Sequence, residues 1–319
     1  MASLLILGGS GFFGKSFLDS FRRGLLDQWD IGNILIVSRR ASRLATMFPD
    51  LVSSRVKLID GDLAKLDSVP KAELVIHAAA STDIRDYDES SSGVENIQKN
   101  VSNYVRLLRE YHATSKILFV SSGAVYGNQP DSTPFLTEHS KFQPLDTMPN
   151  GKRQYAKAKR LAEGEFLKIA QDGVNVSIAR CFAFVGKWLP LDQHFAAGSF
   201  IKNIIFNNSL VVNASHQVIR SYMHSDDLVD WLLSIAHSSS TQAPIYNVGS
   251  EDGVSLQYLA RALAEKFKLP YAVAPLTSNL ADRYVPSTEK ALAELDLKPK
   301  YNSLEAILAV TNELKKNNV

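Results

Sequence analysis

The sequence predicts an α/β protein built on a doubly wound, Rossmann-type parallel sheet. Short runs that are apolar throughout alternate with segments of helical spacing over the first half of the chain. Strands of that kind are buried on both faces, as in a parallel sheet that helices cover. A glycine-rich loop at residues 8–14 also joins the first apolar run to the first helical segment. After Arg180 the pattern changes, and a smaller mixed α/β lobe is expected.

Six strands are expected in the first part of the chain, and helices separate some of them. The strands are 3–7, 33–37, 56–59, 73–77, 115–120 and 174–179, and the helices are 12–25, 41–47, 94–111 and 153–170. Further along, helices are expected at 196–206, 226–236, 255–267, 287–294 and 303–315, with a short strand at 210–212. We therefore expect one domain over 1–180, joined by part of 215–248, and a substrate-binding lobe mainly over 181–319. The cleft between two such packed lobes is the default ligand site.

Composition excludes several classes of protein. The chain has 319 residues and a net charge of +2, which gives no strong field for nucleic acid or an acidic membrane. Its longest apolar runs are far shorter than the roughly 18 residues of a membrane helix, and its start lacks a signal pattern. The single cysteine, Cys181, excludes a disulfide framework, and the seven histidines show no paired metal spacing. We expect a cytoplasmic protein without a metal, nucleic-acid or membrane partner.

The glycine loop fits two kinds of phosphate-binding site. Gly8, Gly11 and Gly14 lie between strand and helix, where glycines let the backbone approach the pyrophosphate of a dinucleotide. The same stretch ends in Gly-Lys-Ser at residues 14–16, with a second glycine at the spacing found in the phosphate loop of nucleotide triphosphatases. Both patterns predict a strand–loop–helix, so the choice depends on residues further along the chain.

A tyrosine, a lysine and a serine favour the dinucleotide. Tyr155 and Lys159 are four residues apart in a predicted helix and therefore share a face. A tyrosine has a pKa of about 10, and a nearby ammonium is expected to lower it so that the phenol serves as acid and base. The lysine would also bond the nicotinamide ribose. Ser122 follows the fifth strand at the carboxyl edge of the sheet and would hold a substrate oxygen against Tyr155. A phosphate-loop enzyme has no use for these residues.

The end of the second strand indicates which dinucleotide is bound. It reads Ser38-Arg39-Arg40, with no carboxylate to bond the ribose 2′-hydroxyl of NAD. Arginines clamp a 2′-phosphate well, so NADP(H) is expected, and NAD(H) is the alternative. The remaining interpretation is a basic turn that contacts only solvent and has no role in cofactor binding. Asp62 would bond the adenine amino group. The other predicted cofactor contacts are Phe12, Phe13, Leu63, Ala78, Ala79, Ala80 and Ser121, with the three glycines, Tyr155 and Lys159.

Taken together, these motifs resemble the extended short-chain dehydrogenase/reductase family of nucleotide-sugar epimerases, dehydratases and reductases. The resemblance covers essentially the whole chain and rests on residues 8–14, 77–80, 120–127, the Tyr155–Lys159 pair and 220–228. It implies that Tyr155 is the acid/base, that Lys159 is its partner, and that the Ser122 hydroxyl orients the sugar oxygen. It also implies a homodimer formed through helices 94–111 and 153–170.

The resemblance further implies contacts outside the catalytic set. Asn100 would lie near the cofactor, and Arg220 would contact the substrate diphosphate, unless it forms a salt bridge with Asp226 or Asp227. Arg283 is a candidate for a second anion contact. The remaining predicted substrate contacts are Thr82, Ser122, Ala183, His194 and Phe195.

One departure from the family narrows the reaction. Its sugar 4,6-dehydratases carry an Asp-Glu pair after the catalytic hydroxyl, whereas this chain has Gly123 and Ala124, which cannot remove a proton or expel water. We therefore expect a 4-keto reductase or a 4-epimerase that acts on a nucleotide-diphosphate sugar. A phosphate-loop phosphohydrolase or kinase and a non-catalytic NADP-binding regulatory protein are the alternatives.

Overall fold

The computed structural model describes residues 1–81, 85–88, 92–192, 195–278 and 280–317. The chain divides into two compact units. The first comprises Met1–Gly127, Pro144–Cys181 and Val229–Tyr246, and the second comprises Asn128–Gln143, Phe182–Leu228 and Asn247–Val319. The assignment of cofactor binding to the first and of substrate binding to the second stays a prediction.

The described strands, in chain order, are β1 (Ala2–Leu7), β2 (Ile31–Ser38), β3 (Val56–Asp60), β4 (Leu74–His77), β5 (Lys116–Ser122), β6 (Asn175–Cys181), β7 (Phe184–Val185), β8 (Leu210–Val212), β9 (Gln217–Arg220), β10 (Met223–His224), β11 (Ile245–Val248), β12 (Val254–Ser255), β13 (Tyr271–Val273) and β14 (Ala281–Tyr284). The described α-helices are α1 (Phe12–Arg22), α2 (Arg43–Met47), α3 (Arg85–Asp88), α4 (Ser92–Tyr111), α5 (Asn150–Gln171), α6 (Ala196–Ile205), α7 (Ser225–His237), α8 (Leu256–Phe267), α9 (Glu289–Leu295) and α10 (Ser303–Asn317).

The predicted doubly wound sheet is confirmed. Seven strands lie in the order β3-β2-β1-β4-β5-β6-β11. Strand β1 pairs in parallel with β2 on one side and with β4 on the other, so the chain winds outward from β1 in both directions. The carboxyl ends of β1 and β4 therefore flank the point where the strand order reverses, which is where ligands bind in open sheets of this class. Side chains such as Leu5, Ile6 and Val75 are fully buried, because helices cover both faces.

Most predicted elements are present, and the differences have local causes. The first helix ends at Arg22 and not at residue 25, because Gly24 adopts a positive φ of 75° that closes the helix. Strand β5 continues through Ser122, two residues beyond the predicted end. Strand β9 was not predicted, because its short sequence Gln-Val-Ile-Arg lacks a clear apolar run.

The second unit has its own small sheets and core. Strand β9 pairs in parallel with β14 and antiparallel with β12. Residues of α6, α8 and α10 form a separate apolar cluster that includes Phe200, Leu263 and Ile307. No described helix is long and apolar enough to cross a membrane. The described residues contain no group of three or more His, Cys, Asp or Glu side chains that could hold a metal ion.

We expect Gly14→Ala to destabilise the protein. A Cβ at position 14 would lie 1.8 Å from the carbonyl oxygen of Gly9, so the turn before α1 would have to move. Such overpacking costs about 1–3 kcal/mol, measured as the free energy of unfolding in urea. Gly164→Ala is the control, because a Cβ there meets nothing within 4 Å and alanine favours a helix interior by about 0.5–1 kcal/mol. Equal stability of the two variants would contradict the close approach.

Candidate active site

The end of β5 and the first half of α5 bring Ser122, Tyr155 and Lys159 together. Ser122 is the last residue of β5, and its hydroxyl caps the 3-10 helix Gly123–Tyr126 by accepting from the Ala124 amide at 3.2 Å. The same side chain is only 8% exposed, and it acts on Tyr155 as a hydrogen-bond partner that lowers the pKa of the phenol. The two side chains expected to hold a substrate oxygen between them are therefore neighbours, and their contact with a substrate stays a prediction.

Lys159 is buried beneath this pair. Its side chain is 3% exposed, its Nζ donates to the Val120 carbonyl at 2.8 Å, and it lies 5.0 Å from the centroid of the Phe119 ring. Burial lowers the pKa of Lys159 to about 8, while Cys181 and Glu163 act in the opposite direction. A carbonyl and an aromatic face thus replace the water that an exposed ammonium would have.

The expected lowering of the Tyr155 pKa is wrong for this structure. Burial raises the pKa of Tyr155 to about 12, and the Ser122 hydrogen bond opposes that shift without cancelling it. Lys159 does not reverse the effect, because its Nζ is 5.8 Å from the tyrosine ring centroid and is directed at the Val120 carbonyl. The hydrogen bond from Ser122, and not the ammonium, is what favours the phenolate here.

Tyr87 was not predicted and packs directly on Tyr155. The two rings meet edge to face with centroids 5.2 Å apart. The Tyr87 hydroxyl donates to the Ser81 carbonyl at 2.8 Å. A four-residue helix such as α3 gives little sequence signal, so this contact required the tertiary structure.

The glycine loop brings backbone very close to the end of β4. Gly8 has φ +86°, and a Cβ there would lie 2.5 Å from the Ala79 Cα. Gly11 precedes α1, where a Cβ would meet no atom within 4 Å. Phe12 and Phe13 begin α1, with ring centroids 5.8 Å apart. The start of a helix beside an unobstructed glycine suits a pyrophosphate, so the residues fit a dinucleotide.

The phosphate-loop interpretation finds no support in the side chains of this loop. The Ser16 hydroxyl donates to the Phe12 carbonyl at 2.8 Å inside α1. The Lys15 Nζ lies 4.9 Å from the Phe48 ring centroid, and burial lowers the pKa of Lys15. Both side chains are turned toward the protein.

The end of β2 carries a buried hydroxyl and two exposed arginines. Ser38 Oγ is buried and has no hydrogen-bond partner in the described part of the chain. Arg39 and Arg40 follow it in an exposed turn. Asp60, which sequence reasoning missed, ends β3 beside Ser38 and accepts from the Ser42 amide at 2.8 Å and its hydroxyl at 2.6 Å. This carboxylate therefore holds the turn that presents the arginines.

The other predicted cofactor residues differ in what they contact. Asp62 accepts from the Ala64 amide at 3.2 Å, and Leu63 is a buried core residue. The Asn100 amide donates to the Ala79 carbonyl at 3.3 Å, between Ala78 and Ala80 in the segment after β4. Their predicted contacts with a cofactor stay predictions.

Ser121 has a partner inside the protein. Its hydroxyl donates to the Glu163 carboxylate at 2.5 Å, and its side chain is 2% exposed. Ser121 is thus directed at Glu163, whereas the neighbouring Ser122 acts on Tyr155, two turns earlier in the same helix.

Within the second unit, Arg220 forms an ion pair that was not predicted. Its guanidinium lies 2.7 Å from Asp282 and also donates to the Asp282 carbonyl at 2.6 Å. The expected alternative partners, Asp226 and Asp227, are wrong, because the parallel register of β9 and β14 places Asp282 beside Arg220. The Nε atom of Arg283 is buried and unpaired among the described residues.

The remaining predicted substrate residues are placed as follows. Phe195 precedes α6 with 40% of its surface exposed, and the Ala183 carbonyl accepts from the Met223 amide at 3.1 Å. Thr82 and His194 lie outside the described residues.

We expect Lys159→Met to raise stability at neutral pH. The pKa of Lys159 falls from its ordinary 10.5 to about 8 on folding, so below pH 8 the folded state holds a buried charge at a cost. That cost disappears between pH 8 and 10.5, where only the unfolded chain keeps the proton. Urea unfolding should show a gain of about 1–3 kcal/mol at pH 7 that shrinks by pH 10. Lys157→Met, at an exposed position of the same helix, is the control; a gain independent of pH would contradict the buried charge.

Comparison with known proteins identifies the family. A family model described as NAD-dependent epimerase/dehydratase matches residues 4–249. A UDP-glucose 4-epimerase from Streptococcus mutans is 25% identical over 330 residues, which cover 96% of this chain and 95% of that protein. UDP-glucuronic acid decarboxylase 1 from Arabidopsis thaliana is 23% identical, with coverage of 98% and 69%.

The fold is shared with solved structures. A dTDP-glucose 4,6-dehydratase variant from Streptomyces venezuelae, solved with NAD bound, superposes with a TM-score of 0.80 at 18% identity and covers 99% of this chain and 97% of its own. At that identity the likeness shows the fold alone. The family model, which spans most of the sequence, shows more: this chain belongs to the NAD-dependent epimerase/dehydratase family, as its resemblance to the extended short-chain dehydrogenase/reductases indicated.

Proposed function

We propose that the protein catalyses hydride transfer at C4 of a nucleotide-diphosphate sugar, in the manner of a 4-epimerase. The observation that carries the proposal is the placement of Ser122 and the buried Lys159 beside Tyr155. Family membership supports a nicotinamide dinucleotide as the cofactor. The names of the similar epimerase and decarboxylase both specify a UDP-linked sugar, which supports the substrate class.

The first unit has residues suited to hold the dinucleotide. Gly8, Gly11 and Gly14 would let the backbone approach the pyrophosphate, and Ala79 adds no bulk beside them. The buried, unpaired Ser38 hydroxyl would bond a ribose oxygen. When bound, the nicotinamide accepts hydride from a sugar carbon and returns it.

Tyr155 would exchange the accompanying proton with the sugar oxygen. Because burial raises its pKa to about 12, the hydroxyl carries its proton at neutral pH and is ready to donate it to a keto oxygen. The Ser122 hydroxyl would bond the same oxygen and stabilise the phenolate in the reverse direction. Lys159 would supply positive charge beneath the pair, held in place by the Val120 carbonyl.

A 4-keto reductase is the second candidate, and the end of β2 favours it. Ser38, Arg39 and Arg40 provide no carboxylate for the ribose of NAD, and the two arginines are exposed. They suit the 2′-phosphate of NADPH, the usual reducing cofactor. Sugar 4,6-dehydration is not proposed, because Gly123 and Ala124 offer no carboxylate. A homodimer formed through α4 and α5 and a cytoplasmic location also stay predictions.

We expect Tyr155→Phe to bind cofactor normally and to lose about 10²- to 10⁴-fold in turnover, the range for positioned acid–base catalysis. The assay supplies UDP-glucose, UDP-galactose and 4-keto sugar nucleotides, and follows isomer formation and the absorbance of reduced nicotinamide. Isomer formation without net absorbance change indicates an epimerase, and stoichiometric consumption indicates a reductase. Tyr111→Phe, on α4, is the control. Full turnover by Tyr155→Phe would refute the proposed role, and a wild-type protein that binds cofactor without turnover would support the non-catalytic alternative.

We expect replacement of both Arg39 and Arg40 by glutamine to weaken NADPH binding by about 10- to 100-fold, because charge-assisted bonds to the 2′-phosphate are lost. NADH binding should be unchanged. Calorimetric Kd values for both cofactors provide the measurement, with Arg43→Gln, at the exposed start of α2, as the control. Tighter binding of NADH than of NADPH to the wild type would overturn the NADP assignment.

A further inference from the structure

Four buried polar side chains form a connected group behind the proposed catalytic residues. We call them the polar cluster: Ser121, Tyr126, Glu163 and Arg180. Arg180 donates to both carboxylate oxygens of Glu163, from Nε at 3.1 Å and from Nη2 at 2.8 Å, and to the Tyr126 hydroxyl at 3.0 Å. The Ser121 hydroxyl donates to the same carboxylate at 2.5 Å. Strands β5 and β6, helix α5 and the 3-10 helix after β5 are thus joined by side-chain hydrogen bonds.

The charges in the polar cluster are balanced but lie in the protein interior. Exposure is 5% for Arg180 and 3% for Glu163. Burial lowers the pKa of Arg180, but the bonds and charge of Glu163 outweigh that effect, so the pKa of Arg180 is raised and its guanidinium stays charged. A buried ion pair is weak evidence of stabilisation, because well-packed apolar residues of similar volume are often as stable. The polar cluster therefore calls for an explanation other than stability.

The position of the polar cluster beside the proposed catalytic residues provides such an explanation. Ser121 directly precedes Ser122, and Tyr126 ends the 3-10 helix that Ser122 caps. Glu163 follows Lys159 by one turn of α5 and acts on its pKa. Each of these hydrogen bonds fixes backbone or charge immediately beside a proposed catalytic group.

We infer that the polar cluster positions Ser122 and Lys159 for proton transfer by Tyr155. The inference rests on the proposed function. Ser121, Tyr126, Glu163 and Arg180 act through their neighbours, so they are positioning residues. In particular, the Ser121 hydroxyl serves the site through Glu163 and not as a cofactor ligand.

The chain offers a matched pair of serines for the test. Ser121→Ala removes one buried hydroxyl bond at the carboxyl end of β5. Ser115→Ala removes another at its amino end, where the 6% exposed Ser115 donates to the Ala72 carbonyl at 2.6 Å. Both variants should lose similar stability. With UDP-galactose as the substrate probe, Ser121→Ala should lower kcat about 10-fold or more with little change in KM. The reason is that a small misplacement of a catalytic group slows the chemical step strongly. Ser115→Ala should keep wild-type kcat.

Two fully buried tyrosines offer a second pair. Tyr126→Phe removes the bond to Arg180. Tyr104→Phe, on α4, removes the 3.1 Å bond between Tyr104 and His112, which follows that helix. Only Tyr126→Phe should lower kcat. Equal kcat losses within both pairs, at equal losses of stability, would mean that the polar cluster is merely structural.

A third measurement needs neither substrate nor cofactor. Cys181, Glu163, His77 and Tyr155 are the titratable groups that lie against Lys159 in the described part of the chain. Burial keeps Cys181, His77 and Tyr155 neutral near pH 8, so the negative charge that acts on the pKa of Lys159 comes from Glu163. Glu163→Gln should therefore lower the pKa of Lys159, followed by NMR of ¹³C-labelled lysine and assigned with Lys159→Met.

Glu165→Gln, at the neighbouring surface ion pair with Lys168, is the NMR control and should leave that titration unchanged. An unchanged pKa of Lys159 in Glu163→Gln would overturn its coupling to the polar cluster. If Glu163→Gln does not fold, the serine and tyrosine pairs test the inference instead. Retained turnover in Tyr155→Phe would refute the proposed function. Loss of turnover there, with Ser121→Ala equal to Ser115→Ala, would refute only the positioning role.

Discussion

The buried ammonium of Lys159 constrains the rest of the candidate site. A cation with 3% exposure has to be compensated by the protein, and it is compensated by the Val120 carbonyl, the face of Phe119 and the nearby Glu163 carboxylate. Two of these groups belong to β5 and one to α5. The first half of α5 therefore has to pack on the carboxyl end of β5 at one particular height, and this packing places Tyr155 beside Ser122.

The ends of β1 and β4, which flank the point where the strand order reverses, are constrained by close backbone contact and not by a buried charge. Gly8 allows the chain after β1 to pass against Ala79 after β4, at a distance that leaves no room for a side chain. Asn100 then donates to the Ala79 carbonyl and fixes the same segment from α4. Close packing of the ends of β1 and β4 leaves the start of α1 facing the ligand position that a doubly wound sheet provides.

The sequence predicted what local pattern determines. The apolar runs of β1, β2 and β5 could be recognised because burial on both faces leaves no polar alternation. The four-residue spacing of Tyr155 and Lys159 likewise fixes a shared helix face. What the sequence did not reveal depends on contacts between distant segments. Asp282 pairs with Arg220 because of the register of two short strands, and Ser121 bonds Glu163 on a helix 42 positions later.

The direction in which the pKa of Tyr155 shifts likewise depends on contacts between distant segments, and it bears on the mechanism. A neighbouring ammonium suggests a lowered pKa, but burial of the whole group favours neutral forms, so the pKa of Tyr155 rises and that of Lys159 falls. In such a site the phenol is neutral at pH 7, and the ammonium is more acidic than that of an exposed lysine. The Ser122 hydroxyl supplies the stabilising hydrogen bond to the phenolate within this structure. In the proposed function, the position of one serine at the end of β5 decides how readily Tyr155 alternates between acid and base, and the polar cluster inferred to hold that serine lies directly behind it.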